Sequence, residues 1–325
     1  MRVVVAIGGN ALIAEGEEGT WPEQLAHARL VAEQLVSLRE AGHEIVLTHG
    51  NGPHVGLLLL QQSLGSTEAP ELPLDVLIAM TQGEVGYLLE TALGEIDPQL
   101  PVTTMLTRVV VDPASAEPPT KPVGPFYTAE EAQRLARERG WVVAPDAGRG
   151  WRRIVGSPRP LKILGFERIR TLMESGTLVI AGGGGGIPVA DTGGDGHQLH
   201  GFAGVVDKDR CSAELAVAIE ADLLVLLTGV RRVALDFGTR WESQLARLTV
   251  SDAVRGLAEG EFPAGSMGPK IESATRFIES TGGAAVIASA AHLADGVAGV
   301  DGTRIVADAD GPSAVAAELC AGAVR

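Results

Sequence analysis

Short apolar runs alternate along this chain with longer segments whose apolar residues recur at helical spacing. The runs are rich in valine, isoleucine and leucine, which predicts strands of a sheet that is buried on both faces. The predicted strands are residues 3–7, 45–47, 102–106, 178–181, 223–227 and 284–287. Helical spacing is found at residues 24–41, within 72–93, at 209–221 and at 269–280. This alternation predicts a doubly wound α/β fold with a mostly parallel central sheet.

Residues 112–160 break the alternation. The stretch is rich in proline and is too long for an ordinary connection. One interpretation is a disordered insertion. The aromatic residues Phe126, Tyr127 and Trp141 and the periodic segment 129–139 favour a folded, protruding lid subdomain instead.

The charge balance bears on possible partners. A net charge of −15 argues against a non-specific nucleic-acid surface, which needs clustered positive charge. No apolar stretch reaches the roughly 18 residues of a membrane span, and the chain starts without a signal-peptide layout. We therefore expect a cytoplasmic protein with no nucleic-acid or membrane partner. Cys211 and Cys320 form no Cys-x-x-Cys motif, so neither a disulfide framework nor a metal site is predicted.

Lysine is rare in this chain. Of its 26 lysines and arginines only four are lysines, and three of them stand in polar, turn-forming sequences: Lys121, Lys208 and Lys270. Because arginine occupies most positions where any positive charge suffices, these three indicate a need for a compact ammonium group. Lys162 is the exception.

Glycine-rich loops follow three of the predicted strands, at the strand ends where ligands of such sheets bind. Gly8-Gly9-Asn10 and Gly50-Asn51-Gly52-Pro53 each lead into a helical segment, where backbone N–H groups can bind an anion. Such sequences are also ordinary turn formers. They hold the only two asparagines of the chain, however, which favours one shared site. Five consecutive glycines at 182–186 would let the backbone approach a ligand closely, and a flexible linker is the alternative.

Two lysines lie at predicted helix starts. Lys208 stands between Asp207, a typical helix cap, and Asp209, while Lys270 follows a proline in a first helical turn. The two aspartates can hold Lys208, and Asp209 is also placed either to orient other lysines or to meet a hydrated Mg²⁺. Lys270 is unfavourable at its helix start unless an anion is bound, which indicates phosphate. The chain has no Walker loop, dinucleotide fingerprint, zinc-protease motif or serine-hydrolase motif. Lysines and glycine loops without a nucleophile or base suit phosphoryl transfer, and a carboxylate acceptor would need no general base.

Taken together, six segments of the chain resemble carbamate kinases of the amino-acid kinase superfamily, in order over nearly the whole length. The segments are residues 6–12, 48–53, 121–127, 182–189, 206–209 and 265–270. The resemblance implies an open αβα sandwich, a homodimer, and Mg²⁺-dependent reversible phosphoryl transfer between ATP and carbamate that gives ADP and carbamoyl phosphate. It also implies an N-terminal lobe at 1–203, which binds carbamate or carbamoyl phosphate and includes the lid, and a nucleotide-binding lobe at 204–325.

The resemblance also assigns roles to individual residues. The carbamoyl and transferred phosphoryl groups would be bound by Gly8, Gly9, Asn10, Gly50 and Asn51. The catalytic residues would be Lys121 on the lid, Lys208, Lys270, and Asp209, which organises the lysines. Nucleotide contacts would come from Gly183, Gly184, Lys208, Thr228, Met267 and Lys270.

Three positions depart from the usual sequence of the family. His54 stands in place of a glutamine, Gly156 in place of a proline, and Gly229, near the expected nucleotide, in place of an aspartate. His49 and His54 flank the second glycine loop and are minor site candidates. Two other interpretations remain open: a kinase of another small carboxylate on the same fold, and a catalytically inactive sensor of nucleotide or carbamoyl phosphate.

Overall fold

The computed structural model describes residues 1–13, 16–146, 150–194, 198–263 and 265–310, and Cys320 lies outside these ranges. Within them the strands are β1 (Arg2–Ile7), β2 (Glu44–His49), β3 (Val102–Thr104), β4 (Arg108–Asp112), β5 (Lys121–Tyr127), β6 (Val142–Pro145), β7 (Trp151–Val155), β8 (Arg159–Ile163), β9 (Leu178–Ile180), β10 (Ile187–Asp191), β11 (Leu199–Gly201), β12 (Leu223–Thr228), β13 (Val233–Leu235), β14 (Ser243–Leu245), β15 (Arg247–Thr249), β16 (Ala284–Ser289) and β17 (Thr303–Val306). The α-helices are α1 (Trp21–Glu40), α2 (Gly52–Gly65), α3 (Leu74–Ile96), α4 (Ala129–Arg139), α5 (Phe166–Glu174), α6 (Lys208–Ala218), α7 (Val250–Glu259), α8 (Met267–Thr281) and α9 (Leu293–Val297).

An eight-stranded sheet forms the centre of the fold, in the order β15-β17-β16-β12-β1-β2-β9-β3. Its pairs are parallel except for β16 and β17. Each strand predicted from an apolar run belongs to this sheet. The predicted α/β fold with a mostly parallel sheet is therefore confirmed.

Helices cover both faces of this sheet, as β1 illustrates. Val4 and Ala6 point into one core together with apolar residues of α5, α6 and α8. Val3, Val5 and Ile7 point into a second core with residues of α1, α3 and α9. Because successive side chains of a strand face opposite ways, a continuous apolar run fills both cores, and the fold is an αβα sandwich.

The predicted helices are all present, with small shifts at their ends. α1 begins at Trp21, three residues before the periodic segment, because Thr20 and Glu23 form a capping box. The lid helix α4 spans the predicted 129–139, from its cap Thr128 to Gly140, which adopts a left-handed conformation.

The lid is folded in the part that the structure describes. Strands β5, β7 and β6 form a three-stranded antiparallel sheet that carries α4. A separate cluster of buried apolar residues joins β5 and β7 to α2 and α3, through Val123, Val155, Val55 and Ile78 among others. The lid is thus packed onto the rest of the molecule.

The chain order divides the central sheet into two halves. Strands β1, β2, β9 and β3 come from residues before 203, whereas β12, β16, β17 and β15 come from residues after 204. The assignment of the two halves to separate functional lobes stays a prediction. Among the described helices, none combines the length and the apolar character required to cross a membrane.

Candidate active site

Three glycine loops and two further strand ends lie along one edge of the central sheet. Strands β16, β12, β1, β2 and β9 are neighbours in that order, and the loops follow β1, β2 and β9. Thr228 ends β12 and Ser289 ends β16. Since all these strands are parallel, their carboxyl ends share one edge, which is where α/β sheets bind ligands.

The first two loops pack backbone against backbone. A Cβ atom on Gly50 would lie 2.7 Å from the amide nitrogen of Gly9, and one on Gly9 would lie 2.9 Å from Cδ of Pro53. Both contacts are too short for any residue but glycine, so the glycines are required by this approach. The structure brings the two loops together as predicted, although it does not describe the side chain of Asn10.

The third loop packs against the second. Gly184 has a φ of +66°, and a Cβ atom on it would lie 2.3 Å from Nδ2 of Asn51. Asn51 is buried, and its Nδ2 donates a 2.8 Å hydrogen bond to Oγ1 of Thr81 on α3. The amide is therefore held in place directly beside the glycine loop.

The neighbouring Gly183 is bonded to α3. Its carbonyl accepts a 2.8 Å hydrogen bond from Nε2 of Gln82, whose Oε1 accepts one from the amide of Thr107. The hydroxyl of Thr107 in turn accepts from the amide of Gly182. Thr81, Gln82 and Thr107 were not predicted as site residues, yet they hold the loop. For Thr81 and Gln82, the signal in the sequence is a pair of polar residues inside the apolar helix α3.

The three lysines of turn-forming sequence converge on two aspartates. Nζ of Lys208 lies 2.6 Å from Oδ1 of Asp209, and Nζ of Lys270 lies 2.7 Å from Oδ2 of the same carboxylate. Nζ of Lys121, from the first residue of β5, lies 3.0 Å from Oδ2 of Asp207. The other oxygen of Asp207 caps α6 by accepting from the amides of residues 209 and 210. Asp207 thus anchors the lid lysine in addition to its expected capping role.

Burial and neighbouring charges act in opposite directions on these groups. Burial alone would raise the pKa of Asp207, but Lys121 and Lys208 outweigh it, and the pKa falls to about 2. Burial lowers the pKa of Lys208, as does Lys270, while Asp209 opposes both. The aspartates therefore keep several cations close together in a poorly solvated place.

Helix N-termini add further positive potential. α2 begins at Gly52 beside Asn51, α6 begins at Lys208, and Lys270 lies in the first turn of α8. The dipole of a helix and its unpaired N–H groups favour an anion at the helix start, although at α6 the amides of residues 209 and 210 already donate to Asp207. Three helix starts and three lysines on one site are suited to a polyanionic ligand.

The lysines and glycine loops line a cleft of about 760 Å³. The predicted site residues on its walls are Gly8, Gly9, Gly50, Asn51, Lys121, Gly184, Lys208, Asp209, Thr228 and Lys270. Gly183 and Met267 are not on these walls, since the carbonyl of Gly183 is bonded to the buried Gln82 and Met267 packs against the core of α6 and α8. Nucleotide contacts of Gly183 and Met267 stay predictions. The exposed Lys162 on β8 lies apart from the cleft, as expected.

His49 and His54 are buried supports of the second loop. Burial lowers the pKa of each to about 4, so both are neutral at pH 7. His49 Nδ1 lies 3.0 Å from the carbonyl of Gly50, and His54 Nε2 lies 2.9 Å from Oε1 of Gln24 on α1. Neither lines the cleft.

Comparison with known proteins identifies the family to which this architecture corresponds. The sequence profile described as the amino acid kinase family matches residues 1–289. The chain belongs to the amino acid kinase family. Among curated members, the chain is 43% identical to carbamate kinase of Pyrococcus horikoshii over 312 residues, covering 94% of this chain and 98% of the relative. It is also 43% identical to carbamate kinase of Haemophilus influenzae over 317 residues, covering 96% and 99%.

Solved structures of the amino acid kinase family agree with this relationship. Carbamate kinase from Giardia lamblia, bound to AMP-PNP, is 37% identical and superimposes with a TM-score of 0.88 over 94% of this chain and 98% of that one. The resemblance to carbamate kinases inferred from the sequence is confirmed. The chain is accordingly a phosphotransferase of this family.

The three departures from the usual family sequence have different structural settings. A Cβ atom on Gly156 would lie 2.8 Å from Cβ of Ala116, so the residue at 156 must be small where β7 leaves the lid. His54 is joined to Gln24, which in turn donates to the carbonyl of Gly19. Gly229 lines the cleft with open space around it, so nothing steric requires glycine there.

Proposed function

We propose that this protein is a carbamate kinase that catalyses reversible phosphoryl transfer between MgATP and carbamate, giving MgADP and carbamoyl phosphate. The observation that carries the proposal is the convergence of Lys121, Lys208 and Lys270 on a cleft floored by three glycine loops. Phosphoryl transfer depends on positioning and on the stabilisation of charge, and this arrangement supplies both.

The transferred phosphoryl group lies between the first two glycine loops and the lysines in this proposal. Backbone N–H groups of Gly8 and Gly9 bind its oxygens beside Gly50, whose own N–H donates to the carbonyl of Ile7. Lys208 and Lys270 neutralise the charge that develops on the bridging and terminal oxygens. A carbamate oxygen attacks the γ-phosphorus as the bond to the leaving ADP breaks. Carbamate is already an anion, so no residue has to remove a proton.

Asp209 acts on the reaction through the lysines. Its two oxygens each accept a hydrogen bond from one ammonium group, which fixes the separation of Lys208 and Lys270. Both aspartates of the cleft are thus occupied by lysines, and the magnesium ion enters with the nucleotide as MgATP or MgADP, held by the phosphates. The reaction requires that ion for charge neutralisation.

The lid acts on the acceptor side. Lys121 is the most exposed of the three lysines, with 38% of its side chain accessible, and its partner Asp207 lies outside the lid. Closure of the lid brings Lys121 to the carbamoyl group and excludes water from the reaction. In this scheme residues 1–203 bind the acceptor, and residues 204–325, including Thr228, bind the nucleotide.

The proposed assembly is a homodimer formed through α2 and α3. Large apolar side chains on these helices are exposed, with Leu64 at 76% and Tyr87 at 65%, and Leu57 and Met80 are also accessible. Trp21 stacks on Tyr87 with ring centres 5.7 Å apart. A face of this composition favours association with a second copy.

Light scattering at several protein concentrations tests the proposed dimer. It should give twice the monomer mass for the wild type, and a smaller mass for Tyr87→Glu than for the control Phe237→Glu. The proposed location is the cytoplasm.

A panel of acceptors tests the proposed substrate. ADP formation from MgATP is compared for carbamate, acetate and an N-acetylated amino acid, with the Lys208→Ala variant as the background. The proposal predicts turnover with carbamate that far exceeds turnover with the other two. A preference for another acid would assign the site to a different small carboxylate, and nucleotide binding without turnover of any acceptor would favour a sensor.

A further inference from the structure

A second cavity, of about 360 Å³, lies between the lid and the connection from α2 to α3. Strand β5 separates it from the cleft, since Val123 of this strand lines both. None of the lysines and aspartates of the cleft lines this cavity. The proposed reaction gives it no role.

An aromatic and arginine cluster forms the lid side of the cavity. The guanidinium carbon of Arg153 lies 4.9 Å from the ring centre of Trp141, and that of Arg139 lies 5.3 Å from the same centre. Tyr127 packs beside this ring at 6.2 Å. Cation–π contacts hold the two arginines on one indole despite their like charge.

The two arginines differ in their partners. Nη1 of Arg139 lies 2.6 Å from Oε1 of Glu71, which links α4 to the connection between α2 and α3. Arg153 contacts the ring of Trp141, but within the described parts of the chain its guanidinium has no hydrogen bond or ion pair. Burial lowers the pKa of Arg153, with Glu71 opposing the effect. Glu71, the carboxylate that acts on Arg153, is already paired with Arg139. Two half-buried cations that share one carboxylate are unfavourable, so an anion in the cavity would stabilise Arg153.

We infer that this cavity is a binding site for a small organic anion bearing a carboxylate or phosphate group, which pairs with Arg153. The planar fork of a guanidinium matches such groups with two parallel hydrogen bonds. Gln62 and Ser63 on α2 offer further polar groups, while Leu59 and Trp141 offer apolar surface for the body of the ligand. The volume is within the range of small-molecule sites.

Binding here would act on the cleft through β5. The same strand carries Lys121 at its start and Val123 and Gly124 on the cavity wall. An anion that joins the lid to α2 favours the arrangement in which Lys121 reaches Asp207, and by reciprocity a closed cleft binds the anion more tightly. This effect on turnover rests on the proposed kinase activity, whereas binding can be measured without turnover.

Tryptophan fluorescence during titration with citrate, and separately with inorganic phosphate, tests the site in the full chain without nucleotide. We expect a saturable change that is absent in Trp141→Phe and that needs at least tenfold more anion in Arg153→Gln. The matched control is Arg134→Gln, on the exposed surface of α4 and paired with Glu138, which should titrate like the wild type. The Lys208→Ala variant should also bind the anion as the wild type does, because this substitution is in the cleft and not in the second cavity.

A second substitution covers the case in which Arg153→Gln does not fold. Ser63→Glu places a carboxylate on the cavity wall and should compete with the added anion, whereas Gln61→Glu, on the exposed part of α2, should not. The absence of a saturable change in the wild type would overturn the inference. So would a change that survives in Ser63→Glu, or one that is lost in Lys208→Ala and kept in Arg153→Gln. A response to citrate alone or to phosphate alone would identify the group that the site recognises.

Discussion

Nζ of Lys270 donates a 2.7 Å hydrogen bond to Oδ2 of Asp209, and both residues are at most 9% exposed. The other oxygen of this carboxylate accepts from Lys208. Removal of one charge therefore affects two buried cations at once.

Asp209→Asn tests this arrangement. Without the carboxylate, the two ammonium groups repel each other and lose their alignment, so we expect kcat to fall by at least ~100-fold. The free energy of unfolding should also fall, by about 3 kcal/mol, since buried cations are left without a counter-charge. Steady-state kinetics and urea unfolding measure the two effects. Asp236→Asn, at an exposed turn, is the control, and equal kinetics in both variants would contradict the role of Asp209.

The contact between Gly184 and Asn51 predicts a steric effect on the acceptor site. Gly184→Ala places a methyl group 2.3 Å from the Asn51 amide and imposes a left-handed conformation on alanine. We expect at least a tenfold loss in kcat/KM for carbamoyl phosphate. Gly94→Ala, at an open position in the last turn of α3, should keep full activity and gain up to ~1 kcal/mol of stability. A fully active Gly184→Ala enzyme would show that the third loop does not support Asn51.

The buried histidines make stability depend on pH. The pKa of both His49 and His54 is about 4 in the folded protein, against an ordinary value of 6.5. Their stabilising effect is therefore complete above about pH 6.5 and is lost as pH falls towards 4. The loss amounts to about 3 kcal/mol per histidine. Urea unfolding at pH 7 and pH 4.5 measures it.

A substitution at His54 separates the two contributions. His54→Gln removes one of the titrating groups and can keep the hydrogen bond to Gln24, so about half of the pH dependence should disappear. His200→Gln, on the surface, should leave it unchanged. An unaltered pH dependence in His54→Gln would contradict the assignment.

Gly229 offers a test of the nucleotide side of the cleft. The position has open space, so Gly229→Asp should fold normally. A carboxylate there can accept a hydrogen bond from a ribose hydroxyl, and we expect the KM for MgADP to fall by roughly tenfold, the effect of one charge-assisted bond of about 1.5 kcal/mol. The KM for carbamoyl phosphate serves as the internal control. A rise in the KM for MgADP and in the KM for carbamoyl phosphate would contradict the placement of the nucleotide beside Gly229.

The sequence predicted the parts of the fold that depend on local pattern. Apolar runs located the strands at the centre of the sheet, because these are buried on both faces. β15 and β17 were not predicted, since runs of three or four residues show no clear periodicity. β3 ends at Thr104, before the predicted 106, because the chain leaves the sheet and Leu106 is 64% exposed.

The candidate site could likewise be predicted where it depends on local sequence pattern, but not where it depends on tertiary packing. Rare lysines and asparagines pointed to the loops that meet in the cleft. The pairing of Lys121 with Asp207, 86 positions apart in sequence, depends on how the lid docks, which no local pattern encodes. The support of Gly183 by Gln82 likewise follows from the packing of α3 beneath the third loop.

The formation of ATP from carbamoyl phosphate and MgADP tests the central claim most directly, with luminescence as the readout. We predict ATP well above the spontaneous background in the wild type, a rate at least ~100-fold lower in Lys208→Ala and Lys270→Ala, and a wild-type rate in Lys162→Ala. If the folded, ADP-binding protein forms no ATP, or if Lys208→Ala is as fast as the wild type, the proposed chemistry is wrong.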